Sequence, residues 1–356
     1  MGSDALLNEA SKVVQAPRVL FVYPIEATFV RTDQRLLGSL GRVIPFHFRS
    51  SADYPKLIAE VARSDIVFCW FALGFAAVAT AIAKALDRKS VVVSGGWDIT
   101  QAPEIGYGRL LYFRGRVQAR LALRLADRVL AFSNWSAAAI RAIVPAAKVD
   151  PIYLGVDTEA FRPGEKEDLV VCVANVSREN LARKGLRSFI LAAAQVPSAR
   201  FVLAGRHLDE AASELRALAP DNAELAGWLP DQELRGLLAR ARVYVQTSYV
   251  EGFGLAIAEA MAAGCVPVVT PAGAIPEVVG SAGLYVPYGD VQALANAIGG
   301  ALRSSRGAEA RARIATQFRL EQRLGHLQAV MDELLGQQPR ADLSSLRQTP
   351  DTTQRT

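Results

Sequence analysis

One segment in the second half of the chain carries residue types that could act on a phosphate-bearing ligand. It reads VEGFGLAIAE from Val250 to Glu259, with Glu251 just before a predicted helix and Glu259 inside it. Free amides at a helix N-terminus favour a bound phosphate, and glycines let a backbone approach a ligand closely. The segment has neither the GxGxxG dinucleotide fingerprint nor the GxxxxGK[ST] phosphate loop. A capped core helix with a tight glycine turn is the alternative interpretation.

The elements that must position this segment alternate between strand and helix patterns. Such alternation predicts parallel sheets covered by helices on both faces, an α/β class. A stretch without apolar period, LGVDTEAFRP, interrupts the alternation and predicts a linker between two doubly wound domains. Ligands of such sheets bind at the carboxyl ends of the strands. The predicted strands are 18–23, 42–46, 66–71, 90–94 and 128–132 before the linker, and 169–174, 200–204, 243–247 and 266–270 after it.

Composition narrows the class of protein. The chain has 356 residues, 51% of them apolar and 21% charged, which suits two folded domains and excludes a mainly disordered chain. The three cysteines, Cys69, Cys172 and Cys265, are too far apart for a disulfide framework or a cysteine-rich zinc site. The N-terminus is polar and lacks a secretory signal pattern, so a cytoplasmic location is expected.

An uncharged run of 18 residues from Ile66 to Ala83 has the minimum length of a membrane span. Its first part, IVFCWF, is rich in strand formers, and helix formers follow from Ala76. We therefore favour a buried strand followed by a core helix over a transmembrane segment.

The Val250 segment is identified as the Glu-x7-Glu motif of the retaining glycosyltransferases of family 4. The chain resembles that family over about residues 18–335. The resemblance implies the GT-B fold, in which two Rossmann-like domains face each other across a cleft and a C-terminal helix crosses back. Further similar segments, in chain order, are YLGVDTEAFRP, NVSRENLARKGL, VLAGRH, AGWLPDQELRGLLARARVYVQTS and GCVPVVTPAGAIPEVV. The implied organisation is an extension at 1–17, an acceptor-side domain at 18–157, a nucleotide-sugar domain at 158–316, a crossover helix at 317–335 and a disordered tail at 336–356.

The resemblance also implies roles for individual residues. Glu251 would contact the donor sugar, and Glu259 would hydrogen-bond the ribose hydroxyls. Arg178 and Lys184, six residues apart, would clamp the diphosphate, whose charge grows as the glycosidic bond breaks. The expected donor-binding set is completed by Gly252, Phe253, Gly254, Leu255, Gly205, Arg206 and Leu229. No metal and no cofactor is expected, because the fold usually works without a divalent ion.

The first domain departs from the commonest family pattern. The loop after its first strand, from Pro24 to Phe29, lacks a Gly-Gly pair. Where many members place a histidine after the fourth strand, this chain has Gly95-Gly96-Trp97-Asp98. We predict that Asp98 replaces that histidine as a hydrogen-bonding partner of the sugar. None of the three isolated histidines is assigned a role.

Positive charge concentrates in the first half of the chain. The net charge is +5, and residues 1–160 hold 19 basic against 14 acidic residues. Arg116, Arg120 and Arg124 recur every four residues beside an apolar stripe formed by Leu110, Phe113, Val117, Leu121 and Leu125. Two interpretations stay open for this segment. It is either an amphipathic helix packed on its sheet or a surface that binds anionic lipid or the acceptor.

Together these patterns predict a retaining hexosyltransferase. It would move a sugar from a nucleoside-diphosphate sugar, with UDP or GDP as the nucleotide, to a hydroxyl of a glycan, glycolipid or lipid-linked precursor. The expected location is cytoplasmic, with peripheral attachment to the inner face of the membrane. The alternatives are another GT-B nucleotide-sugar enzyme such as an epimerase, and a non-catalytic nucleotide-sugar-binding protein. Nucleic acid is not an expected partner, because no base-stacking aromatic platform accompanies the basic residues.

Overall fold

The computed structural model describes residues 16–337. The predicted extension and the predicted tail therefore lie almost entirely outside the described residues. In this described part of the chain, twelve strands form two six-stranded parallel sheets, with the orders β2-β1-β3-β4-β5-β6 and β12-β11-β10-β7-β8-β9. The strands of the first sheet are β1 (Arg18–Tyr23), β2 (Arg42–His47), β3 (Ile66–Trp70), β4 (Lys89–Ser94), β5 (Arg128–Ala131) and β6 (Val149–Pro151). Those of the second are β7 (Glu167–Val173), β8 (Arg200–Ala204), β9 (Ala223–Gly227), β10 (Ala241–Gln246), β11 (Val266–Val269) and β12 (Leu284–Tyr285).

Helices cover both faces of each sheet. The first sheet carries α1 (Thr28–Gly38), α2 (Tyr54–Ala62), α3 (Gly74–Ala85), α4 (Phe113–Leu125) and α5 (Asn134–Ile143). The second carries α6 (Arg178–Arg183), α7 (Leu186–Ala193), α8 (Ala211–Leu218), α9 (Asp231–Arg240), α10 (Leu255–Ala262), α11 (Ile275–Val279) and α12 (Val291–Leu302). The chain continues with α13 (Gly307–Gln317) and α14 (Leu320–Leu334).

The apolar run that could have spanned a membrane is interior structure. It divides into β3, buried at every position, and α3. The two meet at Phe71, whose φ of 72° turns the chain sharply after the strand. Among residues 16–337, no helix is both long and apolar enough to cross a membrane.

The end of the described chain returns to the first sheet, as predicted. Helix α14 packs against α1, and its Arg323 forms a two-point ion pair with Asp33, at 2.5 and 2.6 Å. Both side chains are almost fully buried, at 2% and 0% exposure. The guanidinium also donates to the carbonyls of Ile152 and Tyr153, at 3.0 and 2.9 Å. Every charge in this cluster is therefore matched by a partner, as burial requires.

The basic helix differs from its prediction. The segment with the stripe from Leu110 to Leu125 is not one continuous helix, because a short 3₁₀ turn at Arg109–Leu111 precedes α4 and Tyr112 between them is extended. The residues of α4 that face the interior are small: Gly115, Ala119 and Ala122, with Leu123. Small residues let α4 pack closely against α3, so the large apolar side chains lie elsewhere. Phe113, Val117 and Leu121 are exposed, so of the two interpretations left open, packing on the sheet does not apply to these three residues, whereas Leu110 of the same stripe is buried.

Candidate active site

Glu251 lies in the loop that follows the carboxyl end of β10. Its carboxylate accepts a hydrogen bond from Gln246 Nε2 at 2.8 Å and forms a close ion pair with Lys184 Nζ. The two charged side chains are 15% and 13% exposed, so the pair is largely withdrawn from water. Gln246 is the last residue of β10 and is itself buried, which fixes the position of the carboxylate.

Lys184 reaches this loop because a glycine follows it. Gly185 has a φ of +64°, and a Cβ built there would lie 2.4 Å from the carbonyl oxygen of Thr247. Only glycine therefore lets the end of α6 pack against the chain that leaves β10. Lys184, which the resemblance implied as a diphosphate ligand, lies against Glu251 of the glutamate motif.

The surroundings of the ion pair shift the pKa values of both side chains. Burial raises the pKa of Glu251, but the charges of Lys184 and Arg183 more than offset it, and the pKa lies below its usual value. Burial lowers the pKa of Lys184, and the charge of Glu251 counters only part of that effect. The carboxylate thus depends on its cationic neighbours to stay ionised in a site from which water is largely excluded.

Helix α10 begins directly after the loop, and a left-handed glycine starts it. Gly254 is the N-cap residue with a φ of 94°, and it turns the chain so that the first helical amides, beginning at Leu255, open towards the loop. Phe253 is buried and packs near Phe318, with ring centroids 5.7 Å apart. The packing of this aromatic side chain fixes the turn, and the backbone of Phe253 leads into the N-terminus of α10. The N-terminus of α10 therefore lies beside Glu251.

Gly252 brings the two domains together. A Cβ on Gly252 would lie 2.0 Å from the carbonyl oxygen of Gly95, in the loop that follows β4. The carbonyl of Gly252 accepts hydrogen bonds from the hydroxyls of Ser133 and Ser136, at 2.9 and 3.2 Å. The close approach that was predicted for a ligand is thus made, at this position, by the backbone of the first domain.

Glu259 lines a cavity of about 410 Å³ between the two domains. Residues of α1, of the segment 154–161 and of α9 complete the walls of that cavity. Burial, with a contribution from Asp231, raises the pKa of Glu259 to about 8, and Arg235 opposes this shift. Within residues 16–337, no hydrogen bond or ion pair engages its carboxyl group. The group is positioned to bond to a ligand that enters the cleft.

The remaining predicted donor contacts follow β8 and β9. Gly205 has a φ of 152°, and a Cβ there would lie 2.0 Å from the carbonyl oxygen of Ala174, so the end of β8 packs tightly on β7. Arg206 is exposed, and its guanidinium lies 5.7 Å from the ring centre of Trp228. Leu229 is half-buried and packs against the apolar core. Trp228 is 59% exposed and was not singled out from the sequence.

Arg178 does not join the Lys184 pair. Its guanidinium hydrogen-bonds to Glu210 at 2.6 Å, and both side chains are exposed. Arg183 takes the place next to the site. Asn180 Oδ1 accepts two hydrogen bonds from it, at 2.9 and 2.7 Å, and its guanidinium lies 4.9 Å from the ring centre of Tyr107 in the first domain. The sequence contained a signal for it, since Arg183 directly precedes Lys184.

The prediction for Asp98 is corrected by its burial. The residue is 0% exposed, and its carboxylate accepts hydrogen bonds from the amides of Ala72 and Gly96 and from the hydroxyl of Ser94, at 2.8, 3.1 and 2.6 Å. These donors occupy the carboxylate within the first domain. Asp98 therefore shapes the loop after β4 and does not face a sugar in the cleft.

Of the three predicted surface arginines, two make no hydrogen bond or ion pair within residues 16–337. Arg120 and Arg124 are exposed, whereas Arg116 is half-buried and donates to the carbonyl of Leu110 at 3.3 Å. Across residues 16–337, no group of three or more His, Cys, Asp or Glu side chains is arranged to hold a metal ion. The expectation that the protein uses no metal stays a prediction.

Both halves of the chain match families of known proteins. Residues 13–160 match the family described as Glycosyltransferase Family 4, and residues 167–304 match the family described as Glycosyl transferases group 1. A segment of 68 residues, 19% of the chain, is 47% identical to the O-antigen chain mannosyltransferase B of Escherichia coli and covers 18% of that protein. A longer match of 233 residues, 63% of the chain, is 26% identical to the GDP-mannose:cellobiosyl-diphosphopolyprenol alpha-mannosyltransferase of Xanthomonas oryzae pv. oryzae and covers 61% of it. The chain thus spans less than two thirds of the length of each of these relatives.

The fold has close counterparts among solved structures. The Anabaena protein HepE, in complex with UDP and glucose, superposes with a TM-score of 0.73 over 89% of this chain and 100% of its own, at 19% identity. Together with the two parallel sheets, this likeness confirms the predicted two-domain Rossmann-like GT-B fold.

Proposed function

We propose that this GT-B protein, both of whose halves match glycosyltransferase families, transfers a sugar from a nucleoside-diphosphate sugar to an acceptor hydroxyl. The observation that carries the proposal is the buried ion pair of Lys184 and Glu251 beside the entrance of α10. In the proposed reaction, the ammonium of Lys184 and the free amides of α10 stabilise the leaving diphosphate. The carboxylate of Glu251 accepts a hydrogen bond from a hydroxyl of the donor sugar.

The leaving group sets the main chemical demand on the site. When the bond between the anomeric carbon and the phosphate oxygen breaks, its electron pair stays on the phosphate. The ammonium of Lys184 and the first amides of α10 stabilise that charge in a site of low water content. The guanidinium of Arg183 adds positive charge from the same side, in the role first predicted for Arg178. Glu251 holds a sugar hydroxyl, and Glu259 accepts or donates hydrogen bonds at the ribose.

Transfer with retention of the anomeric configuration is part of the proposal. The acceptor oxygen attacks the anomeric carbon on the face that the phosphate leaves, and the acceptor proton passes to the departing phosphate oxygen. The sugar carries oxocarbenium character as the bonds exchange. This path requires that the protein hold the diphosphate in place, and no protein side chain acts as a nucleophile.

The donor and acceptor classes are proposed from the relatives. The Xanthomonas relative is named for GDP-mannose and for an acceptor on diphosphopolyprenol, and the HepE structure contains UDP and glucose. We expect a hexose donor carried by GDP or UDP and an acceptor hydroxyl on a glycan or a lipid-linked precursor. Peripheral attachment to a membrane would suit an acceptor of that kind. An epimerase acting on a nucleotide sugar is the second enzyme that this fold could support.

Ligand-dependent thermal unfolding and donor turnover test the proposal together. A nucleotide present at 100 times its Kd should stabilise the fold by about 2.7 kcal/mol, so screening UDP, GDP, ADP and their hexose derivatives identifies the donor. Release of free nucleoside diphosphate from that donor distinguishes transfer from epimerisation, which leaves the diphosphate linkage intact at equilibrium. Glu251→Gln should lower that release at least tenfold, whereas Glu165→Gln, an exposed change in the interdomain segment, should leave it unchanged. Equal turnover by both variants would contradict the proposed site.

A further inference from the structure

One helix of the first domain exposes apolar side chains that nothing in the described chain covers. Phe113 and Tyr112 are 75% and 60% exposed, and Leu121 and Val117 are 46% and 39% exposed. Phe113, Val117 and Leu121 are spaced by four residues, so they form one continuous stripe along α4. Scattered apolar residues are common on surfaces, but a continuous stripe over the first nine residues of a 13-residue helix is typical of an interaction site.

The same face is positively charged throughout. Arg114, Arg120 and Arg124 are exposed, and no ion pair among the described residues engages any of the three. Residues 105–126 contain no aspartate or glutamate. The arginine spacing places Arg120 and Arg124 along one side of the apolar stripe and Arg114 on the other, since residues three or four apart share a helix face. The stripe therefore carries cations on both flanks with no local counter-charge.

The surface adjoins the opening of the cleft. The loop 95–112 leaves the carboxyl end of β4 and delivers the chain to the start of α4. In that loop Gly95 contacts Gly252, and Tyr107 lies against Arg183 across the cleft. Tyr112 and Phe113 follow within six residues of Tyr107, and α4 packs against the turn at Trp97–Ile99 in the same loop, so the exposed stripe begins at the end of the loop that contacts the second domain.

We infer that this face of α4 is a docking surface for an anionic lipid membrane. Phe113, Val117 and Leu121 insert between the headgroups, Tyr112 lies at the interface, and Arg114, Arg120 and Arg124 pair with lipid phosphates. Charge complementarity selects the partner, because the face offers three guanidinium groups, unpaired within residues 16–337, around an apolar stripe. A docked membrane would present a lipid-borne hydroxyl at the cleft, and this inference rests on the proposed function only for that acceptor.

Vesicle flotation of the full chain tests the surface. The probes are vesicles of phosphatidylcholine alone and vesicles with about one third phosphatidylglycerol. Wild type should float with the anionic vesicles, and salt should weaken that binding because it screens the arginines. One arginine near an anionic surface contributes roughly 1 kcal/mol, about a fivefold change in binding, so Arg114→Gln/Arg120→Gln/Arg124→Gln should weaken binding on the order of a hundredfold. Phe113→Ser/Val117→Ser/Leu121→Ser should weaken it at least tenfold.

Matched variants on other surfaces serve as controls. Arg42→Gln/Lys148→Gln/Arg303→Gln removes the same charge from exposed positions outside α4, and Leu191→Ser/Leu218→Ser removes exposed apolar side chains from the second domain. Both controls should bind vesicles as wild type does. Binding that falls equally in the α4 variants and the controls would show a response to net charge alone and would overturn the inference.

Donor hydrolysis in vesicle-free solution separates this inference from the proposed function. Variants of α4 that retain hydrolysis and lose vesicle binding support the docking surface. A wild-type protein that hydrolyses donor and floats with neither vesicle overturns the surface and leaves the enzyme intact. A wild-type protein that floats with anionic vesicles but does not hydrolyse donor supports the docking surface and contradicts the proposed function. Wild-type dimers that the apolar variant converts to monomers, with no vesicle binding, would instead identify the occupant of the stripe as a second copy of the chain.

Discussion

Variants of Lys184 and Glu251 can separate the contribution of this ion pair to stability from its contribution to catalysis. Removing Lys184 alone leaves the carboxylate of Glu251 without its cation in a place where each side chain is less than one sixth exposed. Uncompensated charges of this kind destabilise a fold by about 3–5 kcal/mol. Lys184→Met should therefore lower the free energy of unfolding by an amount in that range. The double variant Lys184→Met/Glu251→Gln, which removes both charges, should recover most of the loss.

Catalysis should respond in a different way. If the ammonium stabilises the leaving diphosphate, its removal costs about 2.7–4 kcal/mol of transition-state stabilisation, or 10²–10³-fold in kcat. The double variant does not restore that cation, so its kcat should stay at least as low as that of Lys184→Met. In the single variant, burial of Glu251 is no longer opposed by Lys184, so the pKa of the carboxyl should rise. The acid limb of any residual pH–rate profile should then move to higher pH.

The assays are urea unfolding for stability and release of nucleoside diphosphate at saturating donor for kcat. Lys166→Met is the matched control. Lys166 is a part-buried lysine that precedes β7 and donates to the carbonyls of Ala241 and Ala263, at 2.8 and 2.7 Å. Its loss should lower stability and leave kcat close to wild type at a temperature where the variant is folded. A double variant that regains both stability and wild-type turnover would refute the catalytic role and reduce Lys184 to a support for Glu251.

Two further predictions concern the cleft. The pKa of Glu259 is about 8 in the folded protein and about 4.3 in an unfolded chain, so only the unfolded state releases this proton as pH rises between those values. Stability should therefore fall with pH across that window, by up to about 1.4 kcal/mol per pH unit, and Glu259→Gln should flatten the slope in urea titrations at pH 5, 6, 7 and 8. Parallel slopes in both proteins would show that the carboxyl titrates normally. Gly252→Ala places a Cβ 2.0 Å from the carbonyl oxygen of Gly95. Because this contact forces the domains apart, kcat/KM should drop at least tenfold. The control Gly236→Ala, which has no heavy atom within 4 Å of the new Cβ, should keep full activity. Unchanged kcat/KM in Gly252→Ala would mean that contact with Gly95 is dispensable.

The alternation of elements was predictable because it depends on local patterns. Strands such as IVFCW are apolar at every position, which only burial on both faces of a parallel sheet explains. The glutamate motif indicated where the site would lie, since the strand before it and the helix after it follow from the same patterns. Lys184 was singled out because NVSRENLARKGL resembles a segment of the family, and it lies against Glu251 in the structure. The roles of these residues at a donor come from the resemblance and stay predictions.

The positions of Arg178, Asp98 and the face of α4 depended on which way a side chain points, which the sequence does not determine. Arg178 and Arg183 occupy the two ends of α6, and only the three-dimensional structure decides that Asn180 turns Arg183 towards the cleft while Glu210 holds Arg178 outside it. Asp98 looked available because its loop reaches the cleft, yet three nearby donors draw its carboxylate inward. On α4, periodicity identified a basic stripe and an apolar stripe, but it did not show which face of the helix is buried. The small residues Gly115 and Ala119 settled that question by allowing close contact with α3.

The ion pair of Asp33 and Arg323 has a consequence for the order in which the chain folds. The two residues are separated by 290 positions, so Asp33 leaves the ribosome long before its partner exists. Until α14 is synthesised, α1 carries a carboxylate that its final packing would bury without a counter-charge, and the first domain cannot complete that packing. Domains usually fold in the order in which they are synthesised, but here the first domain completes its packing only after α14 has been synthesised. A nascent chain arrested before Leu320 should keep α1 open to proteases, and release of α14 should close it.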